Sequence, residues 1–149
     1  MVRIISMGSL LALQLMASVA WAADPVQEQR SELMKGARDA AKTVGGMLKG
    51  ELDFDAAAAM ESFQVWADVA ARTGDLFPEG SETGYDTEAR ETIWTDREGF
   101  NQKLSEFTQA VDGAIEASPQ SIEELKASAG PVFKTCKGCH EGYRIEDES

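Results

Sequence analysis

From Met34 onward, apolar residues recur every three or four positions, and strand-like alternation is nearly absent. Met34, Ala37, Ala41, Val44 and Leu48 share one side of a helix expected over 25–49, with Lys35, Arg38, Asp39 and Lys42 on the others. Lys49-Gly50 ends it, because glycine takes the left-handed cap without a Cβ penalty. Gly45-Gly46 weakens the helix and predicts close packing or a bend. A second helix is expected over 53–72, with Asp53 as N-cap and Leu52, Ala56, Ala59, Phe63, Trp66 and Ala70 turned inward. Residues 75–92, with Pro78, Gly80 and Gly84, read as a long surface loop, of a length that in compact domains is usually functional or mobile. Thr95-Asp96-Arg97-Glu98 reads as a capping box opening a third helix over 96–117, whose seam is Phe100, Leu104, Phe107, Val111 and Ala114. Ser118-Pro119 predicts the start of a fourth helix over 119–145, kinked or split at Gly130-Pro131. Four amphipathic helices joined in sequence predict an all-α fold, an antiparallel four-helix bundle.

The first residues belong to a different pattern. Arg3 precedes an apolar run, Ile4 to Val19, broken only by small residues and Gln14, and Ala20-Trp21-Ala22 fits a signal-peptidase site. An uncleaved anchor is the alternative, but the run falls short of the ~20 residues that span a bilayer and lacks a basic stop signal. Residues 1–22 are therefore expected to be a cleaved signal peptide and residues 23–149 a single exported, periplasmic domain. Removing the signal takes away one cation, leaving 13 Lys+Arg against 26 Asp+Glu, a net charge of −13. That field repels nucleic acid and anionic membranes and favours a partner with a basic docking patch; simple solubility accounts for it equally well.

The chemistry concentrates in Cys136-Lys137-Gly138-Cys139-His140. C-x-x-C-H is the c-type haem attachment motif. Thiols three apart share a helix face and reach two vinyl groups of one porphyrin edge, and the next residue brings an imidazole to the iron. A Cys136–Cys139 disulfide is the competing reading, but such redox motifs sit in a strand–helix setting that is missing here. Zinc is disfavoured because three soft ligands crowd one turn. These two are the only cysteines and His140 the only histidine. With His140 as proximal ligand, the sixth position is a methionine, a weaker donor or nothing.

With that motif, Arg30-x-x-x-Met34-Lys35, Ile93-Trp94 and the closing Tyr143-Arg144, the chain resembles the class II c-type cytochromes, the cytochrome c prime family. The resemblance spans residues 23–149 and implies a four-helix bundle with one covalent haem c and its iron. The residue four after the first-helix arginine decides the branch. Here it is Met34, which implies the low-spin, methionine-ligated c-556 type with His140/Met34 ligation. Core filling is the alternative for a methionine on an apolar face, the one taken for Met47 and Met60, and a rotated helix would present Leu33 instead. The resemblance implies Arg30 beside the haem propionates, against the plainer reading of a solvated surface arginine. It also implies Arg144 beside the haem, with Tyr143 and Trp94 packed on the porphyrin. Phe63, Trp66, Phe100, Phe107 and Phe133 read as core or pocket lining. The expected function is one-electron transfer without catalytic residues. The alternative is a five-coordinate cytochrome binding nitric oxide or carbon monoxide, and a peroxidase is disfavoured because no second histidine remains for distal proton transfer. A homodimer through the first two helices, common in the family, stays open.

Overall fold

The computed structural model describes residues 25–145, so the expected signal peptide lies outside the described residues. Helix α1 spans Val26–Lys49, α2 Ala56–Thr73, α3 is one turn at Thr92–Thr95, α4 spans Arg97–Ala117 and α5 Ile122–Tyr143. The four long helices close a ring in which α1 packs on α2 and α5, and α4 packs on α2 and α5. This is the expected all-α four-helix bundle.

The starts of the helices differ from the sequence reading in three places. Asp55, not Asp53, caps α2, accepting from the N–H groups of Ala57 and Ala58, and Leu52 stands half in solvent before the helix. Asp96, not Thr95, caps α4 by accepting from Gly99, because Thr95 already belongs to α3. Ser118 takes the left-handed conformation that ends α4, so Ser121 caps α5 instead, accepting from Glu124. In each case a nearby oxygen competed for the same role, and chain geometry chose. Helix α5 runs unbroken through Pro131. The ring leaves the carbonyl of Ala127 without its usual donor, on a turn where both residues are exposed.

The core has two centres. Val44, Phe63, Trp66, Val111, Leu125 and Val132 fill one end, where Trp66 stacks on Phe63, meets Phe133 edge-on, and donates its indole N–H to the Ala37 carbonyl of α1 at 3.0 Å. Each such side chain contributes roughly 1.5–3 kcal/mol on burial. Leu33, Val69, Leu76, Phe77, Ile93 and Phe100 form the second centre, at the end that holds the cysteine–histidine motif. The buried line of α1 is Leu33, Ala40, Val44 and Met47, one position away from the expected stripe, which leaves Met34 half-buried on the adjacent side.

Candidate functional site

Two devices shape one cleft at the second core centre. The first is the long loop after α2. It begins with a 3-10 turn at Gly74–Leu76 and buries Leu76, Phe77 and Ser81, so it is anchored and not simply draped over the surface. Its anchor is Arg30, which is buried, correcting the reading of a solvated surface arginine. The guanidinium donates to the carbonyl of Leu76, to the carbonyl of Ser81 at 2.9 Å and to the Ser81 hydroxyl, and it lies 4.2 Å from the centre of the Phe77 ring. Ser81 and the Trp94 indole both donate to the Pro78 carbonyl, closing the network. Burial lowers the pKa of Arg30, with Glu82 opposing, but a guanidinium stays charged throughout.

The second device is the capped end of α5. The last four carbonyls of a helix lack internal partners. Here Arg144 N–H donates to His140, the Arg90 guanidinium to Glu141 at 3.1 Å, the Thr92 hydroxyl to Gly142 at 2.9 Å, and Arg90 N–H to Tyr143 at 3.0 Å. Ala89 and Arg144 complete the join as an antiparallel bridge, and Arg144 pairs with Glu88 at 3.0 Å. The turn bearing His140 is thus clamped by residues 88–92, which no local signal in the sequence announced.

Between these devices lies a cleft of about 390 Å³, within the ordinary 300–1,000 Å³ range of cofactor pockets. Arg30, Met34 and Arg38 line it from α1, Cys139, His140, Tyr143 and Arg144 from the end of α5, and Phe77, Ile93 and Phe100 from the core behind it. Leu33 points into the core. Trp94 does not line the cleft; its ring sits behind Phe77, at 5.8 Å between centroids. Cys136, one turn before Cys139, is half-buried against the first core centre. Tyr143 packs edge-on to Phe100 at 5.4 Å and donates to Asp96 at 2.9 Å. Gly99 makes room for that bond, since a Cβ there would overlap Asp96 and lie 2.6 Å from the phenol oxygen.

The donors suit a covalent haem. Both thiols are free, on successive turns of one helix, beside the chain's single imidazole. Burial pushes the Cys136 thiol up to about 11 and raises Cys139, with Lys103 opposing the latter. Burial also lowers His140, Arg144 adds to that and Glu88 opposes it, so the imidazole is neutral at pH 7, the form that binds iron. Three of the five guanidinium N–H groups of Arg30 serve the loop, and the residue also lines the cleft.

Residues 25–144 match the family model described as Cytochrome C'. A cytochrome c' of Rhodopseudomonas palustris is 35% identical over 118 residues, covering 79% of this chain and 80% of its own length. A cytochrome c-556 of the same organism is 30% identical over 142 residues, covering 91% and 93%. The solved structure of the R. palustris cytochrome c' superimposes with a TM-score of 0.80 at 33% identity, covering 85% of this chain and 100% of that one.

Proposed function

This chain belongs to the cytochrome c' family, and on that premise we propose that it is a periplasmic one-electron carrier of the methionine-ligated, c-556 type. Members of the family carry covalently attached haem c with its iron and act as electron carriers or gas binders. In the proposed arrangement Cys136 and Cys139 hold the haem through thioethers, and His140 and Met34 ligate the iron from α5 and α1. The observation that carries this reading is that Met34 and the chain's only histidine line one cleft while Leu33 is turned into the core. When bound, the haem supplies an iron that gains and loses one electron.

The chain's own residues account for the rest. A neutral imidazole and a thioether are both ready to ligate, and a thioether favours ferrous iron, which raises the potential. Arg30 and the loop it anchors hold the wall beside Met34, and the clamp on α5 holds His140. Tyr143 and Phe100, packed edge-on, supply an aromatic wall of the cleft. The only imidazole serves as a ligand, which leaves no second histidine for distal proton transfer and supports a carrier over an enzyme. Cleavage after Ala22, export and a domain over 23–149 complete the proposal; among the described residues no helix is long and apolar enough to cross a membrane.

Optical spectra of the reduced holoprotein, with and without carbon monoxide, test the ligation. The wild type should be low-spin and indifferent to the gas. Met34→Ala should be high-spin, should take up carbon monoxide, and should have a lower potential. Uptake by the wild type would instead identify a five-coordinate gas binder. Acid-acetone extraction tests the attachment: the haem should stay with the protein, and replacing Cys136 and Cys139 should release it.

A further inference from the structure

Among the described residues three large apolar side chains are exposed, Leu52 at 51%, Tyr85 at 64% and Ile145 at 48%. Scattered singly such residues need no explanation, but the fold carries two of them to one edge of the cleft. Ile145 follows the clamped end of α5, and its N–H donates to the Glu88 carbonyl at 2.7 Å. Tyr85, three residues before Glu88, lines the cleft although most of its surface faces solvent. Its backbone is held in a costly conformation. Thr87 N–H returns to the Gly84 carbonyl at 3.2 Å, closing a tight turn in which Tyr85 and Asp86 take φ of +52° and +50°. Positive φ at both central positions suits glycine and asparagine, and an exposed tyrosine gains no burial to offset the strain. A strained aromatic turned to solvent beside a cleft points to a contact outside the chain.

The loop around Tyr85 carries one sign. Residues 79–91 hold Glu79, Glu82, Asp86, Glu88 and Glu91 against Arg90 alone. Arg90 is taken up by the Glu141 carbonyl and Glu88 by Arg144. Glu79, Asp86 and Glu91 are exposed and have no ion-pair partner among the described residues. On the α1 side the cleft is lined by both signs, Glu28 and Arg38. The chain has another acidic corner with an exposed apolar residue, Leu52 between Glu51 and Asp53. That corner lies beyond the far end of α1, about 24 Å along the helix from Met34.

We infer that the turn at residues 84–87, with Tyr85 as apolar centre and the loop acids as rim, docks a basic redox protein at the mouth of the cleft. The inference rests on the carrier reading and locates the surface through which the electron passes. An aromatic centre inside a charged rim is the usual anatomy of a protein contact. The rim steers the encounter and sets its salt dependence, while the tyrosine holds the docked pair. A partner here stands against the cleft lined by both proposed iron ligands, whereas at Leu52 the electron would cross most of the bundle. The exchange is a single electron passing between haem and partner redox centre; no bond forms or breaks.

The test follows oxidation of the reduced holoprotein by the ferric form of a lysine-rich mitochondrial cytochrome c, in stopped flow and across ionic strength. The loop pair Glu79→Gln with Asp86→Asn is compared with a control pair at the far corner, Glu51→Gln with Asp53→Asn. The loop pair should slow the reaction in low salt at least about threefold more than the control pair does. That difference should vanish in about 1 M salt, where the screening length is about 3 Å. Tyr85→Asn should slow the reaction at least about threefold at every ionic strength, and Leu52→Asn should not change it. Asparagine accepts the left-handed backbone, so the thermal midpoint of Tyr85→Asn should rise while its rate falls. Equal effects at the two corners would overturn the inference, because only net charge would then matter, and so would an unchanged rate in Tyr85→Asn. A changed optical spectrum in that variant would make the tyrosine part of the haem pocket, and a lower midpoint would make it structural; either result overturns the docking role. Failure of the carrier reading is seen separately, as carbon monoxide uptake by the wild type.

Discussion

Arg30 illustrates how one side chain acquires a role through its surroundings. Its position one turn before Met34 is plain in the sequence, and so is its charge. What it touches is not: its partners are 46 and 51 residues away, in a loop with no regular structure. A buried cation without an acidic partner is costly unless each donor finds an acceptor, and here a planar fork meets carbonyls, a hydroxyl and an aromatic face. Lysine has a single compact head and cannot reproduce that fork. Arg30→Lys is therefore expected to cost on the order of 3 kcal/mol, measured as a lower denaturant midpoint of the holoprotein, since bonds to charged groups are worth about 1.5–3 kcal/mol each. Limited proteolysis of this variant should cut first between residues 78 and 87. A first cut elsewhere would mean that Arg30 does not hold the loop.

At the level of the helices, the ends of α1 separate two uses of glycine. Gly50 closes α1 with φ +73°, and its N–H returns to the carbonyls of Gly46 and Met47, so an alanine there meets backbone strain. Gly46 is buried, with Leu52 within 2.9 Å of where a Cβ would stand, which is the close packing expected of the glycine pair. Gly45 has open space around it and an ordinary helical backbone. Gly50→Ala should lower stability by roughly 1 kcal/mol, and Gly45→Ala should raise it by about as much through helix propensity. Thermal unfolding of the two variants, followed by far-ultraviolet circular dichroism, checks both signs. A loss at Gly45 would point to a packing partner that these contacts do not contain.

Across the whole molecule, an excess of 12 negative charges works against compactness. The ion pairs on the helices are exposed neighbours three or four residues apart, such as Lys35–Glu32 and Arg72–Asp68, and add little. Screening should therefore stabilise the fold. Raising sodium chloride from 10 mM to 0.5 M should lift the thermal midpoint by about 4 °C, the change that corresponds to about 1 kcal/mol in a domain of this size. A midpoint that falls with salt would show that attractive pairs outweigh the repulsion.

The sequence by itself determined the four helices, the glycine end of α1, and the cysteine–histidine motif, because helical period and local spacing are short-range properties that survive without the rest of the fold. On the distal side it pointed to Met34 only through the family resemblance, with Leu33 as the alternative, since neighbours on a helix differ by only 100° and periodicity alone does not separate them. In the tertiary structure Met34 lines the cleft and Leu33 is buried in the core. Rival caps at Asp53 and Asp55, Thr95 and Asp96, and Ser118 and Ser121 were likewise equivalent in pattern and were separated by where the chain turns. The loop anchored on Arg30 and the clamp of residues 88–92 on the carbonyls around His140 belong wholly to the tertiary structure, because donor and acceptor there lie about 50 residues apart and no local spacing encodes their meeting.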